Sequence, residues 1–142
     1  MVNFADNEAR HLALLYRHMM KTMEKELAPL GLCAGRYSYL FGLYAKDGRR
    51  QQELADSIGI DKAAVARSVA WLEESGYVRR VKDSSDGRAF RVYLTEKGKK
   101  IRPQLETAAL NCIATMTSAL DEAESVELRR LLIKINSKHQ LG

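Results

Sequence analysis

Apolar residues recur at steps of three and four along most of this chain, which is the spacing of helices that bury one face. The pattern predicts a long N-terminal helix over residues 7–30, a second helix over residues 34–46, and two C-terminal helices over residues 96–120 and 121–138. The apolar stripe of the first helix is longer than one small domain can cover, so we expect part of it to meet another subunit. Pro103 falls in the first turns of the third of these helices and predicts a bend there.

Two shorter helices meet at a tight turn in the middle of the chain. The first spans residues 51–57 and ends at Gly59, which can adopt the positive φ that such a turn requires. Asp61 has the short acceptor side chain of an N-cap and precedes a second helix over residues 62–74. Ala55 is small enough for the point where the two helices cross. This spacing is a helix-turn-helix signature, although an αα-hairpin packed only for stability can carry the same residues.

The outward face of the second short helix combines small and basic side chains, which suits a helix that lies in a DNA groove. The residues on or beside this face are Lys62, Ala63, Ala64, Ala66, Arg67 and Ser68.

The hydrophobic period changes from 3.6 to 2 after residue 76. Residues 77–82 and 89–94 are rich in β-forming side chains, and the DSSDGR sequence between them favours a turn. A two-stranded hairpin directly after a recognition helix is a wing. Its tip would project Arg88 into the negative potential of a narrow minor groove.

These elements together predict a mainly α fold with a small β-hairpin wing, a winged helix-turn-helix with N- and C-terminal dimerisation helices. We assign residues 1–34 to an N-terminal dimerisation helix, residues 35–98 to the DNA-binding lobe and residues 99–142 to C-terminal dimerisation helices. Because no Pro-, Gly- or Ser-rich linker separates them, the three segments should pack as one continuous globular unit.

The distribution of charge points to the same part of the chain. A net charge of +5 mildly favours a polyanionic partner. Nine basic and three acidic residues lie between residues 79 and 102, so the positive field is local to the predicted wing region. No apolar run approaches the ~18 residues that span a bilayer, and the N-terminus lacks the order of a secretion signal. We therefore expect a cytoplasmic protein without a membrane partner.

The sequence contains few residues in patterns typical of metal binding, disulfide formation or catalysis. Cys33 and Cys112 match no zinc-ligand spacing and the histidines are isolated, so we expect two reduced thiols and no metal site. The chain has no nucleophile elbow, phosphate loop, HExxH or paired carboxylate motif, so we predict neither an enzyme nor a cofactor. A winged-helix module that binds protein is an alternative, and it would have an acidic or apolar recognition face.

A motif in the wing indicates a family. The pattern D-x-R-x5-L-T-x2-G is present as Asp86, Arg88, Leu94, Thr95 and Gly98. With the phrases ELADSIGIDKAAVARSVAWLEESGYVRR and LAPLGLCAGRYSYL, the chain resembles the MarR family of transcriptional regulators over residues 12–135. The resemblance implies a homodimer whose two recognition helices enter the major groove at an inverted repeat in double-stranded DNA, while the wings take the flanking minor grooves. Members of this family usually repress transcription, and many release DNA when a small, often phenolic, anion fills a pocket.

The resemblance also implies roles for side chains of the helix pair. We expect Lys62 and Arg67 to contact guanine edges or phosphates, and Ala63 and Ala64 to contact thymine methyl groups. Gln51, at a helix N-terminus, would donate to phosphate oxygens.

Three further residues complete the predicted DNA-binding surface. Arg88 would reach the minor groove, and Asp86 would hold the wing by pairing with an arginine of the hairpin. Ser68 takes a position that is usually apolar in the family, and we include it in the surface.

The sequence leaves two alternatives for the site that responds to a signal, an effector pocket and a thiol switch. In an effector pocket, Arg17 would meet a carboxylate, and Met19 and Tyr37 would line an aromatic ring, although both also suit a hydrophobic core. In a thiol switch, Cys33 or Cys112 would react. Cys33 stands at the predicted start of the second helix, where threonine is usual, so it would be a weak cap or an exposed thiol. The oxidation-sensing branch of the family uses a cysteine in the first helix, and this chain has none there.

Overall fold

The computed structural model describes residue 3 and residues 5–139. The remaining residues, which belong to the ends of the predicted segments 1–34 and 99–142, lie outside the described part. The elements in chain order are α1 (Glu8–Leu27), α2 (Tyr37–Ala45), β1 (Arg49–Arg50), α3 (Gln51–Ile58), α4 (Lys62–Glu74), β2 (Val78–Lys82), β3 (Phe90–Leu94), α5 (Glu96–Lys100), α6 (Arg102–Thr117) and α7 (Glu122–Lys138). The prediction of a mainly α fold with a small β wing is confirmed.

The helix pair at the centre of the chain forms as its sequence predicts. Gly59 ends α3 with a φ of 67°, in the left-handed region that favours glycine. Asp61 caps α4, since its carboxylate accepts a hydrogen bond from the backbone N–H of Ala64 at 2.9 Å. Leu54 and Val65 are fully buried where the two helices pack.

The predicted start of the second helix at residue 34 is wrong by three residues, because α2 begins at Tyr37. After α1, a 3-10 turn (Ala28–Leu30) and an αL residue, Gly31, redirect the backbone. The N–H of Ala34 is then bound by the carboxylate of Glu24 at 2.8 Å, which holds residues 31–36 in an irregular loop against α1. Cys33 consequently lies in this loop and does not cap α2.

The wing is a three-stranded antiparallel sheet in the order β1-β3-β2, not the predicted two-stranded hairpin. β2 and β3 pair from Val78 opposite Leu94 to Lys82 opposite Phe90. The additional strand, β1, consists of two residues that pair with Val92 and Arg91. It ties the segment directly before α3 to the wing, so the helix pair and the wing share one backbone hydrogen-bond network.

The predicted helix over residues 96–120 is divided. A break at Ile101 separates α5 from α6, next to Pro103, which lacks the N–H that a continuous helix would use. α6 packs along α1, whereas α7 has no buried residue. None of the described helices combines the length and apolarity that crossing a bilayer requires.

Candidate nucleic-acid interface

A groove of about 500 Å³ separates the N-terminal ends of α3 and α4 from the loop of the wing. Its lining residues are Arg50, Gln51, Gln52, Lys62, Asp86, Arg88, Ala89 and Phe90. Four of the predicted DNA-binding residues therefore meet in one place, although they come from two helices and a loop that are distant in the sequence. The groove contains three cationic side chains and one carboxylate.

α4 divides into a buried face and an outward face. Val65, Val69 and Leu72 are fully buried and fix the rotation of the helix about its axis. The opposite face exposes Lys62, Ala63 and Arg67 to solvent, while Ala64 and Ser68 are half-buried on one flank. The long side chains on the outward face are basic and the others are small, so the backbone of α4 can approach a partner closely.

The tip of the wing is organised by Asp86, but not in the predicted way. Its carboxylate accepts a hydrogen bond from the N–H of Arg88 at 3.0 Å, and its carbonyl accepts one from the N–H of Ala89 at 3.0 Å. Asp86 shapes the turn that presents the exposed Arg88. The predicted ion pair between Asp86 and a hairpin arginine is wrong, because a different carboxylate occupies that position.

That carboxylate is Asp83, whose side chain is completely buried. It forms ion pairs with Arg50 of β1 at 3.0 Å and with Arg91 of β3 at 2.7 Å. The Ser85 hydroxyl donates to the same carboxylate at 2.6 Å and accepts from Arg50 at 2.9 Å. The hydrogen bonds from Ser85 and then from Arg50 hold the pKa of Asp83 well below its ordinary range, so the carboxylate is ionised at neutral pH. Asp83 therefore locks the loop of the wing to the base of α3.

The C-terminal part of the wing motif attaches the sheet to α5. The Thr95 hydroxyl oxygen lies 2.6 Å from the carbonyl of Gly76 and accepts a hydrogen bond from the N–H of Gly98 at 3.1 Å. Gly98 packs directly on the carbonyl oxygen of Tyr77, where a Cβ would overlap it. The Tyr44 hydroxyl, whose pKa burial raises to about 12, donates to the Gly98 carbonyl at 2.7 Å. The motif glycine is thus required for the close approach of two backbones.

The structure brings together only part of the predicted effector pocket. Tyr37, Phe41 and Tyr44 form an edge-to-face series along α2, with successive ring centroids 5.9 Å apart. Tyr37 and Met19 are both half-buried, and both neighbour Cys112, whose sulfur lies 3.6 Å from the Met19 carbonyl. Arg17 is exposed and lies two residues before Met19, so the two side chains leave opposite sides of α1.

The two thiols differ in environment. Cys112 is buried between α6 and α1, and burial raises the pKa of its thiol, with a smaller contribution from Glu26. Cys33 is half-buried, and the Arg36 guanidinium donates to its sulfur at 3.3 Å.

Comparison with known proteins links this arrangement to a family of regulators. A model of the MarR family matches residues 32–90. The chain is similar to the uncharacterised HTH-type transcriptional regulator YybA of Bacillus subtilis (strain 168), with 27% identity over 126 residues, which is 89% of this chain and 84% of that protein.

Solved structures extend the likeness to nearly the whole chain. A MarR transcriptional regulator from Methanosarcina mazei Go1 is 32% identical, with a TM-score of 0.88 and coverage of 93% of this chain and 95% of that one. A cysteine-to-serine mutant of MarR from E. coli, solved in complex with operator DNA, shares the fold at 23% identity, with a TM-score of 0.83 and coverage of 89% of this chain and 91% of that one.

Proposed function

The chain belongs to the MarR family of DNA-binding transcriptional regulators, which are not enzymes, and from this premise we propose that it acts as a homodimeric repressor of an operator with inverted symmetry. One observation carries the proposal. The groove between α3, α4 and the wing places Gln51, Lys62 and Arg88 around one concave surface. Two helix N-termini and three cations on such a surface suit the phosphate backbone of a duplex.

Within this proposal, α4, the start of α3 and the wing each contact a different part of the DNA. Lys62, Ala63, Ala64, Arg67 and Ser68 on α4 face the major groove, because the buried face of the helix fixes them outward. Gln51 opens α3 and donates to a phosphate. Arg88 enters the minor groove from the wing, and Asp86 contributes by shaping the loop that holds it.

The proposal of a homodimer is supported by large apolar side chains on the terminal helices that stay exposed in a single chain. The exposed large apolar residues of the terminal helices include Leu12, Tyr16, Leu110, Ile113, Val126, Leu131, Ile133 and Ile135. An apolar groove of about 480 Å³ also lies between α6 and α7. Such surface is costly in water and is typical of an interface. We propose that residues 1–34 and 99–142 form the dimer layer and residues 35–98 the DNA-binding lobe.

The experiment begins with selection of bound fragments from genomic DNA, followed by footprinting and anisotropy titrations on the selected site. Arg88→Ala should weaken binding by about 1–3 kcal/mol. Lys62→Ala should lower the salt dependence of affinity if Lys62 contacts phosphate, or relax sequence discrimination if it contacts a base. Arg130→Ala is the matched control, because it removes one cation from α7, where Arg130 pairs with Glu127 at 2.6 Å. Wild-type affinity in both interface variants, or a footprint without symmetry, would refute the proposal.

For the signal, we propose a small aromatic anion that binds beside the aromatic series of α2. The half-buried rings, together with Met19, offer an apolar surface at the junction of α1, α2 and α6. Arg17, which the sequence predicts as the countercharge, lies on the other side of α1 from Met19, so we leave it out of this site. Titration with 2-hydroxybenzoate should release the DNA from wild-type protein, and Tyr37→Ala should raise the concentration required.

A thiol switch is the alternative, and the burial of Cys112 weighs against it as the responding group. A raised pKa leaves little thiolate, which is the reactive form. Cys33 is less buried, so we would assign any redox response to it. Alkylation followed by a gel shift distinguishes the two outputs, because loss of binding in wild type but not in Cys33→Ser would favour the thiol switch. A protein-binding module is disfavoured by the basic surface of α4.

A further inference from the structure

The C-terminal turn of α4 is held from two opposite sides. On one flank Glu73 accepts hydrogen bonds from the backbone N–H and the Nε of Arg80 in β2, each at 2.8 Å. On the other flank, about 160° around the helix from Glu73, stands Trp71. Its indole ring is half-buried against the core, and the Arg36 guanidinium lies over it at 4.1 Å from the ring centroid. The recognition helix is therefore fixed both by the wing and by the loop that precedes α2.

Trp71 lies in the same row of α4 as residues that we assign to the DNA-reading surface. Counting back along the helix, Arg67 is four residues earlier and Ala64 seven residues earlier, so all three project within about 60° of one another. A change in the position of Trp71 would consequently rotate or tilt this row. Arg36 contacts the row at its C-terminal end, away from the groove that Lys62 lines.

The loop that carries Arg36 is fixed to α1. The Glu24 carboxylate accepts from the Ala34 N–H at 2.8 Å, and the Leu27 carbonyl accepts from the Leu32 N–H at 3.3 Å. Arg36 itself is the last residue before α2, and its N–H donates to the Cys33 carbonyl at 3.1 Å. A short connection, made of hydrogen bonds within the loop and the cation–π contact of Arg36 with Trp71, therefore runs from α1, in the proposed dimer layer, to the recognition helix.

We propose that Arg36 is a positioning residue for DNA recognition, which sets the orientation of α4 through its stack on Trp71 and couples that orientation to α1. This inference rests on the proposed role of α4 as the DNA-reading helix. Arg36 acts through Trp71 and does not itself contact DNA. Its removal should therefore lower affinity without removing a phosphate contact.

The test compares Arg36→Met and Arg36→Lys with a matched control. Methionine keeps much of the side-chain volume but lacks the cation, and lysine restores a cation without the planar group. Arg102→Met is the control, because the Arg102 guanidinium also lies over an aromatic ring, that of Tyr44 at 5.1 Å, but away from α4. Trp71 is the single tryptophan of the chain, so the whole indole emission reports on the stack.

We expect Arg36→Met to lower the affinity for the selected operator by about 3- to 10-fold and to shift the tryptophan emission. Arg36→Lys should recover part of both, and Arg102→Met should leave the emission unchanged. The slope of affinity against salt should stay at the wild-type value, since loss of a phosphate contact would reduce it by about 1.

Three results would overturn the inference. The first is wild-type affinity in Arg36→Met, and the second is a reduced salt slope, which would make Arg36 a DNA contact. The third is an affinity loss that vanishes when binding is measured far below the thermal midpoint, which would show only partial unfolding. If the wild-type protein itself bound no operator, the proposed function would fail. That failure can be told apart from failure of this inference, because wild-type binding is measured before any variant is compared with it.

Discussion

The DNA-binding lobe and the C-terminal helix α7 differ in how much of their apolar surface one chain buries. In the lobe, Leu54, Val65 and Val92 are fully buried, and the carboxylate of Asp83 is enclosed by its own cationic partners. In α7, by contrast, no residue is buried, and the exposed fraction of Val126 is 65%. The lobe is complete within one chain, whereas the terminal helices display the apolar surface of an unfinished core.

Because of this difference, we expect the lobe to be stable within one chain and the exposed faces of α6 and α7 to require a second chain. Substitutions inside the lobe should act on the folding of a single chain, and their effects should not depend on protein concentration. Substitutions on the exposed apolar faces of α6 and α7 should leave the lobe folded and act on association, because those faces gain their burial from a second copy in the proposed assembly. The predictions below use this contrast.

The largest effect is expected from charges placed in the groove between α6 and α7. The double variant Ile113→Glu/Leu132→Glu would bury two carboxylates in the proposed dimer interface, so it should be monomeric. Operator affinity should fall by at least ~100-fold, because the second half-site is no longer bound at a high effective concentration. Analytical ultracentrifugation and anisotropy measure the two effects.

The matched control for this variant is Val81→Glu, which places a carboxylate at a 39% exposed apolar side chain of the wing. It should leave the oligomeric state unchanged. A dimer in the groove variant at micromolar concentration would contradict the assignment of α6 and α7 to the interface.

The next effect tests the lobe alone. Gly98→Ala would drive a Cβ into the Tyr77 carbonyl oxygen and separate the wing from α5, so we expect a loss of about 2–4 kcal/mol in the free energy of unfolding. Gly87→Ala is the control, because a Cβ at Gly87 would meet no atom within 4 Å. Urea unfolding at two protein concentrations measures both variants. Gly87→Ala should stay within about 0.5 kcal/mol of the wild-type free energy of unfolding, which is the range of neutral surface substitutions. If Gly98→Ala also stayed within that range, the contact with the Tyr77 carbonyl would be able to relax.

The elements that the sequence predicts correctly are those specified by neighbours in the chain. Gly59 ends α3, Asp61 caps α4 and Thr95 caps α5 through contacts with residues at most four positions away. Hydrophobic periodicity locates the helices for the same reason. The motif residue Gly98 is identifiable from sequence, but the contact with the Tyr77 carbonyl that requires it appears only in three dimensions.

The features that sequence reasoning missed depend on distant partners. Asp83 and Asp86 lie in the same short loop, and the packing of Arg91 and of Arg50, which is 33 residues away, distinguishes the buried carboxylate from the turn-forming one. β1 is too short to show a period of its own. The start of α2 was misplaced because the hydrogen bond from the Ala34 N–H to the distant Glu24 carboxylate holds the preceding loop in an irregular conformation, which the local sequence does not show. One signal was present, since Asp83 is the first acidic residue after three basic ones in β2.

The smallest effect concerns the pH dependence that Asp83 confers on the lobe. Its pKa in the folded state lies well below the ordinary value of 3.8, so its contribution to stability is complete above pH ~5 and declines as the pH falls through the ordinary value and below it. Asp83→Asn should lower the thermal midpoint by roughly 3–8 °C at pH 7, and this difference should begin to narrow below pH ~4, where the carboxyl group of the unfolded chain becomes protonated. Asp86→Asn is the matched control on the same loop, because an amide oxygen can still accept from the Arg88 N–H. Thermal unfolding of the three proteins between pH 3 and 7 measures the effect, and a difference between wild type and Asp83→Asn that does not change with pH would show that the ion pairs of Asp83 contribute nothing to folding.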